Sequence, residues 1–347
     1  MRVLIVRIGA MGDVLHAMPA VAALRALHPD WFIGWAIEPR WSDLLQIAGD
    51  PEDLSQGLGH FAGHALVDRW YRVAASEWKR SPFSRRTRQD IFGLRDLLRE
   101  QRFDLCVDMQ GSLKSAVVGS MAAAKLFAGP DTPRERLARR LYTQKVQVSA
   151  AHVVEQGCEL LGAAVGETLS PARVTLPIDE ANERWADSVV GRQRFCLISP
   201  GGGWGAKIWP AERYGRVAAH LGNAGVPTMV NSTIPGSREA DRVVETSEGH
   251  ARAVACSVGQ LIALTRRAAV VIAGDTGPLH LAAALERPVV GIYGPTDPAR
   301  NGPYGTRQRV LRDAASLTSH KRVGEPEPAM LRIQVDEVVQ AALEMLA

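Results

Sequence analysis

Three glycine-rich turns carry the side chains with the clearest potential for chemistry. The first runs from Gly9 to Asp13 and includes Gly12, the second runs from Gly201 to Lys207, and the third runs from Gly274 to His280. Each turn follows a short apolar run and precedes a segment with helical periodicity, a pattern that predicts a strand, a turn and a helix. The dinucleotide fingerprint Gly-x-Gly-x-x-Gly and the P-loop pattern are both missing from these turns. Their backbone amides are therefore expected to meet an anionic ligand of another kind.

The third turn, in "AGDTGPLHLAAAL", is the most informative of the three. Asp275 or Thr276 can cap the following helix, and Gly277 allows the backbone to approach a ligand closely. Free N–H groups at the start of that helix attract an anion. His280 falls within about the first helical turn and would lie beside that anion. A capped helix with a packed histidine explains the same residues equally well.

The second turn, in "SPGGGWGAKIWP", offers backbone donors at Gly201, Gly202 and Gly203 and one cation at Lys207. A flexible loop with an exposed lysine is the plain alternative. The second and third turns belong to the same half of the chain, so together they predict a site for a diphosphate. No Asp-x-Asp pair, which would hold a divalent ion, occurs in the chain. Lys207 and helix termini are therefore expected to stabilise a leaving diphosphate without a metal.

Asp13 in the first turn is a poor choice for holding phosphate. If the second half of the chain binds the diphosphate, the carboxylate of Asp13 is available to take a proton from an acceptor hydroxyl. General-base catalysis of this kind contributes about 10²–10⁴-fold in rate. The alternative is that Asp13 only caps a helix that begins near Val14.

A fourth turn, in "VDMQGSLKSA", places Gln110 and Lys114 at the end of another apolar run. An arginine-rich segment, residues 69–102, precedes it and includes Arg80, Arg85 and Arg86, and a second basic run covers residues 134–145. This local positive charge suits an anionic acceptor. An ordinary strand-to-helix connection beside a solvated helix face is the alternative.

The elements that would position these turns alternate between short apolar strands and amphipathic helices, which predicts an α/β protein with parallel sheets covered on both faces. The periodicity loosens between residues 149 and 180 and then starts again. We therefore expect two Rossmann-like domains, residues 1–172 and 173–347, that face each other across a cleft. The final helix, residues 333–347, is a candidate to pack back on the first domain.

Composition narrows the class of protein further. The 347 residues carry 41 basic and 37 acidic side chains, a net charge of +4 that gives no reason to expect a nucleic acid partner. The four cysteines are far apart, so free thiols in a reducing cytoplasm are expected and a zinc site is not. No apolar stretch approaches the roughly 18 residues of a membrane span.

Several of these motifs, in this order, resemble the bacterial lipopolysaccharide heptosyltransferases, glycosyltransferase family nine. "MGDVLHAMPA" is similar to the opening motif of the family, and "KIWP", "GDTGPLHLAAAL" and "GIYGPTDP" are similar to its donor-domain signatures. "DMQGSLKSA" is most similar to the heptosyltransferase I branch. The likeness extends over nearly the whole chain.

The resemblance implies a GT-B fold and an inverting transfer of heptose from ADP-heptose to the Kdo of the lipid A inner core. It implies that Asp13 is the base and that Lys207, the turn at Asp275 and His280 bind the donor. Glu239 is a candidate for the nucleotide ribose. The arginine-rich segment would meet the acidic acceptor at the cytoplasmic face of the inner membrane, with no cofactor required.

Other functions are compatible with the same motifs. A second heptose transfer, as in heptosyltransferase II, or transfer to another core sugar would use the same motifs. A nucleotide-sugar epimerase can share the two-domain fold. An NAD-linked oxidoreductase or a non-catalytic nucleotide-binding protein would come from other functional classes.

Overall fold

A computed structural model describes residues 1–45, 65–319 and 323–347 of the chain. The chain divides into two compact units, Met1–Pro177 and Ile178–Ala347. The division lies five residues beyond the expected position between residues 172 and 173. It falls in a segment, residues 168–179, that contains neither helix nor strand and carries Pro171 and Pro177.

The first unit contains a parallel sheet of six strands with the order β3-β2-β1-β4-β5-β6. The strands are β1 (Arg2–Val6), β2 (Phe32–Ile37), β3 (Arg69–Arg72), β4 (Leu105–Asp108), β5 (Leu126–Pro130) and β6 (Gln144–Val146). The helices are α1 (Met11–Leu27), α2 (Ala75–Arg80), α3 (Arg85–Glu100), α4 (Leu113–Met121) and α5 (Val153–Val165), with 3₁₀ turns at Pro39–Leu44 and Arg136–Leu141. The alternation expected from the sequence is confirmed here.

The second unit repeats this arrangement with the strand order β12-β11-β10-β7-β8-β9, again all parallel. The strands are β7 (Cys196–Ser199), β8 (Thr228–Ser232), β9 (Ala251–Ala255), β10 (Val270–Gly274), β11 (Val289–Tyr293) and β12 (Gln308–Arg312). The helices are α6 (Glu180–Val190), α7 (Ala211–Asn223), α8 (Arg238–Glu245), α9 (Val258–Arg267), α10 (Gly277–Ala284), α11 (Pro298–Asn301) and α12 (Val335–Leu346), and 3₁₀ turns lie at Gly205–Lys207 and Met330–Arg332.

In both sheets the first strand of the unit lies beside the fourth. The first three strands extend the sheet to one side of this pair, and the last three strands extend it to the other. β1 pairs with β4 in the first unit, and β7 pairs with β10 in the second. Ligands of open α/β sheets bind outside the carboxyl ends of the strands at this switch point. The turns singled out in the sequence follow these four strands, so the topology brings them together in pairs.

The closing helix α12 packs inside the second unit. Val338, Ala342 and Leu346 join the same buried cluster as Trp209 of the loop before α7 and Ile272 of β10. That α12 also packs back on the first domain stays a prediction. The apolar stripe of α12 matches the apolar surface of β10, β11 and α7, and burying it there removes both surfaces from water.

Candidate active site

At the switch point of the first unit, helix α1 begins at Met11 rather than near Val14, which places Asp13 at the third helical position. Its carboxylate accepts a hydrogen bond from the N–H of Ala10, the N-cap residue, at 3.1 Å. Asp13 therefore stabilises the start of the helix from the third helical position. The preceding turn requires glycine, because Gly9 has a φ of +156° and a Cβ there would lie 2.7 Å from the ring of Trp41.

The other oxygen of Asp13 forms an ion pair with Arg7 at 3.0 Å, and the Asp13 side chain is still 38% exposed. Arg7 is itself only 14% exposed. Its guanidinium also donates to the main-chain carbonyl of Asp13 at 3.0 Å and to that of Met109 after β4. A solvent-accessible carboxylate is thus fixed in orientation at the carboxyl end of β1. The motifs in the sequence did not single out Arg7 as a site residue, although a charged residue directly after a buried strand was the available signal.

The turn after β4 is built around Asp108, a fully buried carboxylate. It accepts hydrogen bonds from the hydroxyl of Tyr142 at 2.7 Å, the hydroxyl of Ser115 at 2.9 Å and the amides of Gln110 and Gly111. Burial raises the pKa of Asp108, while these four donors oppose that shift. The network fixes the shape of the turn.

Gln110 and Lys114 have different surroundings within this turn. The side-chain oxygen of Gln110 accepts from the N–H of Ile8 at 2.8 Å, and its amide donates to Ser112 at 3.2 Å. Gln110 therefore ties the end of β4 to the end of β1, which the sequence had not indicated. Lys114 is exposed in the first turn of α4.

The arginines expected to meet an anionic acceptor lie where helix α2 ends and helix α3 begins. Arg80 is the last residue of α2, and Arg85 and Arg86 are the first two residues of α3. All three are exposed, and Phe83 between them is 89% exposed. The side chain of Ser84 caps α3 by accepting from the N–H of Thr87 at 3.0 Å.

At the switch point of the second unit, Lys207 from the β7 turn reaches Asp275 from the β10 turn. Their side chains form an ion pair, and they are only 11% and 8% exposed. The other oxygen of Asp275 lies 3.1 Å from Nε2 of His280. The ammonium group of Lys207 also lies 4.2 Å from the centre of the Trp204 ring, which adds a cation–π contact. The structure thus brings Lys207, Asp275 and His280 together.

Electrostatics within this cluster favour an ionised Asp275. Burial alone would raise its pKa, but the hydrogen bond from His280 and the charges of His280 and Lys207 hold the pKa well below its ordinary value. Both carboxylate oxygens are occupied, so Asp275 fixes Lys207 rather than offering a free group to an anion.

The first backbone amides of α10 have no side-chain cap and so can donate to an anion. Thr276 is at the N-cap, but its hydroxyl donates to the carbonyl of Gly274 at 3.2 Å and leaves the helix amides uncapped by a side chain. Neither Asp275 nor Thr276 therefore caps the helix as expected. Gly277 is the first residue of α10, and its amide is one of those that point out of a helix start.

Three of the remaining donor-site candidates, Gly202, Gly203 and Glu239, lie in segments that follow β7 and β8 of the second sheet. A Cβ on Gly203 would meet nothing within 4 Å, whereas one on Gly202 would lie 2.8 Å from Ile208. Glu239 is exposed in the first turn of α8, after β8, and accepts from the hydroxyl of Ser237 at 2.9 Å. Gly12 is buried in the first turn of α1 in the other unit.

Two further findings concern the described residues as a whole. Within residues 1–45, 65–319 and 323–347, no three His, Cys, Asp or Glu side chains are grouped so that they could hold a metal ion. In the same ranges, no helix has the length and apolar character needed to cross a bilayer.

The chain is similar to known proteins in sequence and in structure. The sequence profile of glycosyltransferase family 9 (heptosyltransferase) matches residues 91–329. Lipopolysaccharide heptosyltransferase 1 of Escherichia coli K12 is 29% identical over 318 residues, which is 90% of this chain and 93% of that protein. The corresponding enzyme of Pseudomonas aeruginosa is 28% identical and is matched over 89% of this chain and 82% of its own length.

The structure is similar to that of E. coli heptosyltransferase WaaC with ADP, with a TM-score of 0.78 and 26% identity over 99% of this chain and 100% of that chain. The complex of the same enzyme with ADP-2-deoxy-2-fluoro heptose gives a TM-score of 0.75 over 99% of both chains. The expected GT-B class, with two Rossmann-like units in one chain, is confirmed. Because the family profile covers more than half of the sequence, the chain belongs to glycosyltransferase family 9, the heptosyltransferases, and is a glycosyltransferase.

Proposed function

We propose that this enzyme transfers L-glycero-D-manno-heptose from ADP-heptose to the Kdo of the lipid A inner core, with inversion and without a metal ion. The observation that carries the proposal is the meeting of Lys207 with Asp275 and His280 at the switch point of the second unit, beside the uncapped start of α10. The names of the relatives, lipopolysaccharide heptosyltransferase 1, support the same sugar and the same acceptor class.

In the first unit, Asp13 acts as the general base. Its exposed carboxylate takes the proton of the acceptor hydroxyl while that oxygen forms a bond to the anomeric carbon of the heptose. The bond between that carbon and the diphosphate oxygen breaks on the opposite face, so a single displacement inverts the configuration. Arg7 fixes the direction of the carboxylate during this step.

In the second unit, the leaving ADP gains negative charge as the bond breaks. Lys207 has two N–H donors beyond the one used on Asp275, and these are assigned to the diphosphate together with the amide of Gly277 and the amides of Gly202 and Gly203. The carboxylate of Asp275 would repel phosphate, so its role is to hold Lys207 and His280. Glu239 is assigned to the ribose.

The acceptor is assigned to the first unit. Arg80, Arg85 and Arg86 present exposed charge to the acidic acceptor, with Lys114 and the turn that contains Gln110 as the second set of contacts. The acceptor is a lipid, so the enzyme is proposed to act at the cytoplasmic face of the inner membrane.

Membership of a glycosyltransferase family favours transfer over the epimerase, the NAD-linked oxidoreductase and the non-catalytic binding protein. A transfer of the heptosyltransferase II type would use the same donor and is separated only by the acceptor. The assay below therefore offers acceptors that lack and that already carry the first heptose.

The test is incubation of the purified chain with ADP-heptose and, in separate reactions, a deacylated Kdo–lipid A acceptor without and with the first heptose, read by mass spectrometry. A mass gain of one heptose is expected, and EDTA should not change its rate. The transfer should be nearly absent in Asp13→Asn. This substitution keeps the size of the side chain and an oxygen that can accept from the N–H of Ala10. Asp30→Asn, an exposed carboxylate, is the matched control. Turnover of Asp13→Asn at the wild-type rate would remove Asp13 as the base, and transfer only to the heptose-bearing acceptor would reassign the acceptor.

A further inference from the structure

The second basic run of the sequence folds into a concave pocket on the first unit that the proposed reaction does not use. It has a volume of about 360 Å³ and is lined by Arg136, Leu137, Arg139, Arg140 and Lys145, and we call it the Arg136 pocket. Four of the five lining side chains are therefore cationic. The 3₁₀ turn Arg136–Leu141 supplies one wall, and β6 supplies Lys145 on the other.

Most of this charge is uncompensated. Arg139 pairs with Asp131 at 2.6 Å, which neutralises one of the four cations. Arg136, Arg140 and Lys145 are exposed and have no ion-pair partner among residues 1–45, 65–319 and 323–347. Three converging positive charges attract an anion with several oxygens, and a phosphate group is the common biological example.

Exposed apolar side chains lie directly beside the cations. Leu137 is 54% exposed and Leu141 is 37% exposed, although both belong to the turn that forms the pocket wall. That turn packs on α4, where Leu113 and Val117 are 38% and 41% exposed. Cations mixed with exposed leucines are typical of a surface that lies in the interface of an anionic bilayer.

We propose that the Arg136 pocket binds the phosphate groups of anionic lipid headgroups and docks the first unit on the bilayer. Arg136, Arg140 and Lys145 contact the headgroup phosphates, while Leu137 and Leu141 enter the boundary between headgroups and acyl chains. The concave shape admits a phosphodiester between the cations. The inference rests on the proposed function only in expecting that a membrane carries the acceptor.

The test is co-sedimentation of the full chain with vesicles of pure phosphatidylcholine and with vesicles that contain phosphatidylglycerol, in 0.1 M NaCl and without donor or acceptor. Binding is expected only to the anionic vesicles. The double variant Arg136→Gln, Arg140→Gln should reduce the partition coefficient on the order of 30-fold, because each surface cation contributes roughly fivefold. Leu137→Ser should weaken binding without changing the charge.

The matched control is the double variant Arg192→Gln, Arg216→Gln, which removes the same charge from exposed positions of the second unit. It should retain binding within about twofold. Equal losses in both double variants, or no binding of the wild-type chain to anionic vesicles, would overturn the proposal. So would a raised KM of the Arg136, Arg140 variant for the deacylated acceptor with unchanged vesicle binding, since the pocket would then recognise the acceptor. Because vesicle binding needs no substrate, failure of the transfer assay leaves this result readable.

Discussion

Arg7 holds the carboxylate of Asp13 in a 3.0 Å ion pair while it also donates to main-chain carbonyls on two sides, at Asp13 itself and at Met109. The guanidinium therefore links the turn after β1, the first turn of α1 and the end of β4. A base that must meet one hydroxyl in one direction benefits from such fixation, because misplacement by about 1 Å can cost on the order of 10²-fold in rate.

Arg7→Ala is expected to lower kcat about 10- to 100-fold while the KM for ADP-heptose stays within twofold. The carboxylate of Asp13 remains present but loses its orientation. Steady-state kinetics with the deacylated acceptor measure this, and Arg7→Lys should recover part of kcat by restoring the charge. Arg2→Ala, at the other end of β1, serves as the control. An unchanged kcat in Arg7→Ala would show that the ion pair has no part in catalysis.

Lys207 and Asp275 are expected to act as one unit in donor binding. Lys207→Ala should weaken ADP binding about 10- to 100-fold, and Asp275→Asn should weaken it in the same direction because Lys207 loses its anchor. The double variant should lose less than the sum of the two effects in free energy, as coupled neighbours do. Isothermal titration with ADP measures all three.

A matched pair controls for charge removal in that experiment. Lys125 and Asp104 form an ion pair at 2.7 Å on the first unit, with Lys125 81% exposed. Lys125→Ala and Asp104→Asn should leave ADP affinity unchanged and show no coupling. Strict additivity of the Lys207 and Asp275 effects would show that the two residues do not act as one unit in ADP binding.

The depressed pKa of Asp275 gives a pH dependence with a definite sign. Because its folded-state pKa lies below the unfolded value of 3.8, the ionised carboxylate stabilises the folded chain above that value, and the contribution is lost as the pH falls. The Tm difference between wild-type and Asp275→Asn should be constant from about pH 5 to 8 and should shrink below about pH 4. Differential scanning calorimetry checks this, and a difference that grows in acid would reverse the sign.

Asp108 is expected to matter for stability more than its position in a turn suggests. Asp108→Ala removes the acceptor of four donors, among them the buried hydroxyl of Tyr142 and the buried amide of Gly111, and should cost about 3 kcal/mol or more. For a unit of this size that corresponds to a fall in Tm of about 6–12 °C. Asp96→Ala, whose side chain is 58% exposed, should change the unfolding free energy by less than about 0.5 kcal/mol.

The thiols should be unreactive in the native protein. Burial raises the pKa of Cys158 to about 11 and that of Cys256 to about 12, and burial also raises the pKa of Cys106 and Cys196. The thiolate is the reactive form, so at pH 8 Ellman's reagent should titrate these residues slowly. In 6 M guanidinium chloride it should report all four at once. Rapid reaction of one equivalent in the native protein would show that one thiol is accessible and has an ordinary pKa.

Much of the fold could be predicted because the signals are local. A buried parallel strand such as β10 appears as an apolar run, and its glycine-rich turn marks where a helix begins. The pairing of β7 with β10 could also be expected, since two ligand-binding turns of one Rossmann-like unit belong at one switch point. The meeting of Lys207 with Asp275 follows from that topology.

The finer features depend on side-chain partners distant in the sequence, and no pattern specifies those. Gln110 was expected to face an anionic acceptor, yet its side-chain oxygen accepts a hydrogen bond from the N–H of Ile8, 102 positions away. Asp275 was a candidate to cap the following helix, yet Lys207 and His280 take both oxygens of its carboxylate. The apolar stripe of α12 shows that the helix packs but not on which surface, so its contacts with β10, β11 and α7 could not be predicted from the sequence.

The packing of α12 against β10 has a consequence for how the molecule is made. Every strand and helix of the first unit has been synthesised once the ribosome passes Val165, whereas the sheet that positions Lys207 and Asp275 still lacks Val338, Ala342 and Leu346 until α12 emerges. During translation the first unit can mature while the second keeps an uncovered apolar face. Chaperones that bind nascent chains would accordingly be needed longest by the half proposed to bind the nucleotide.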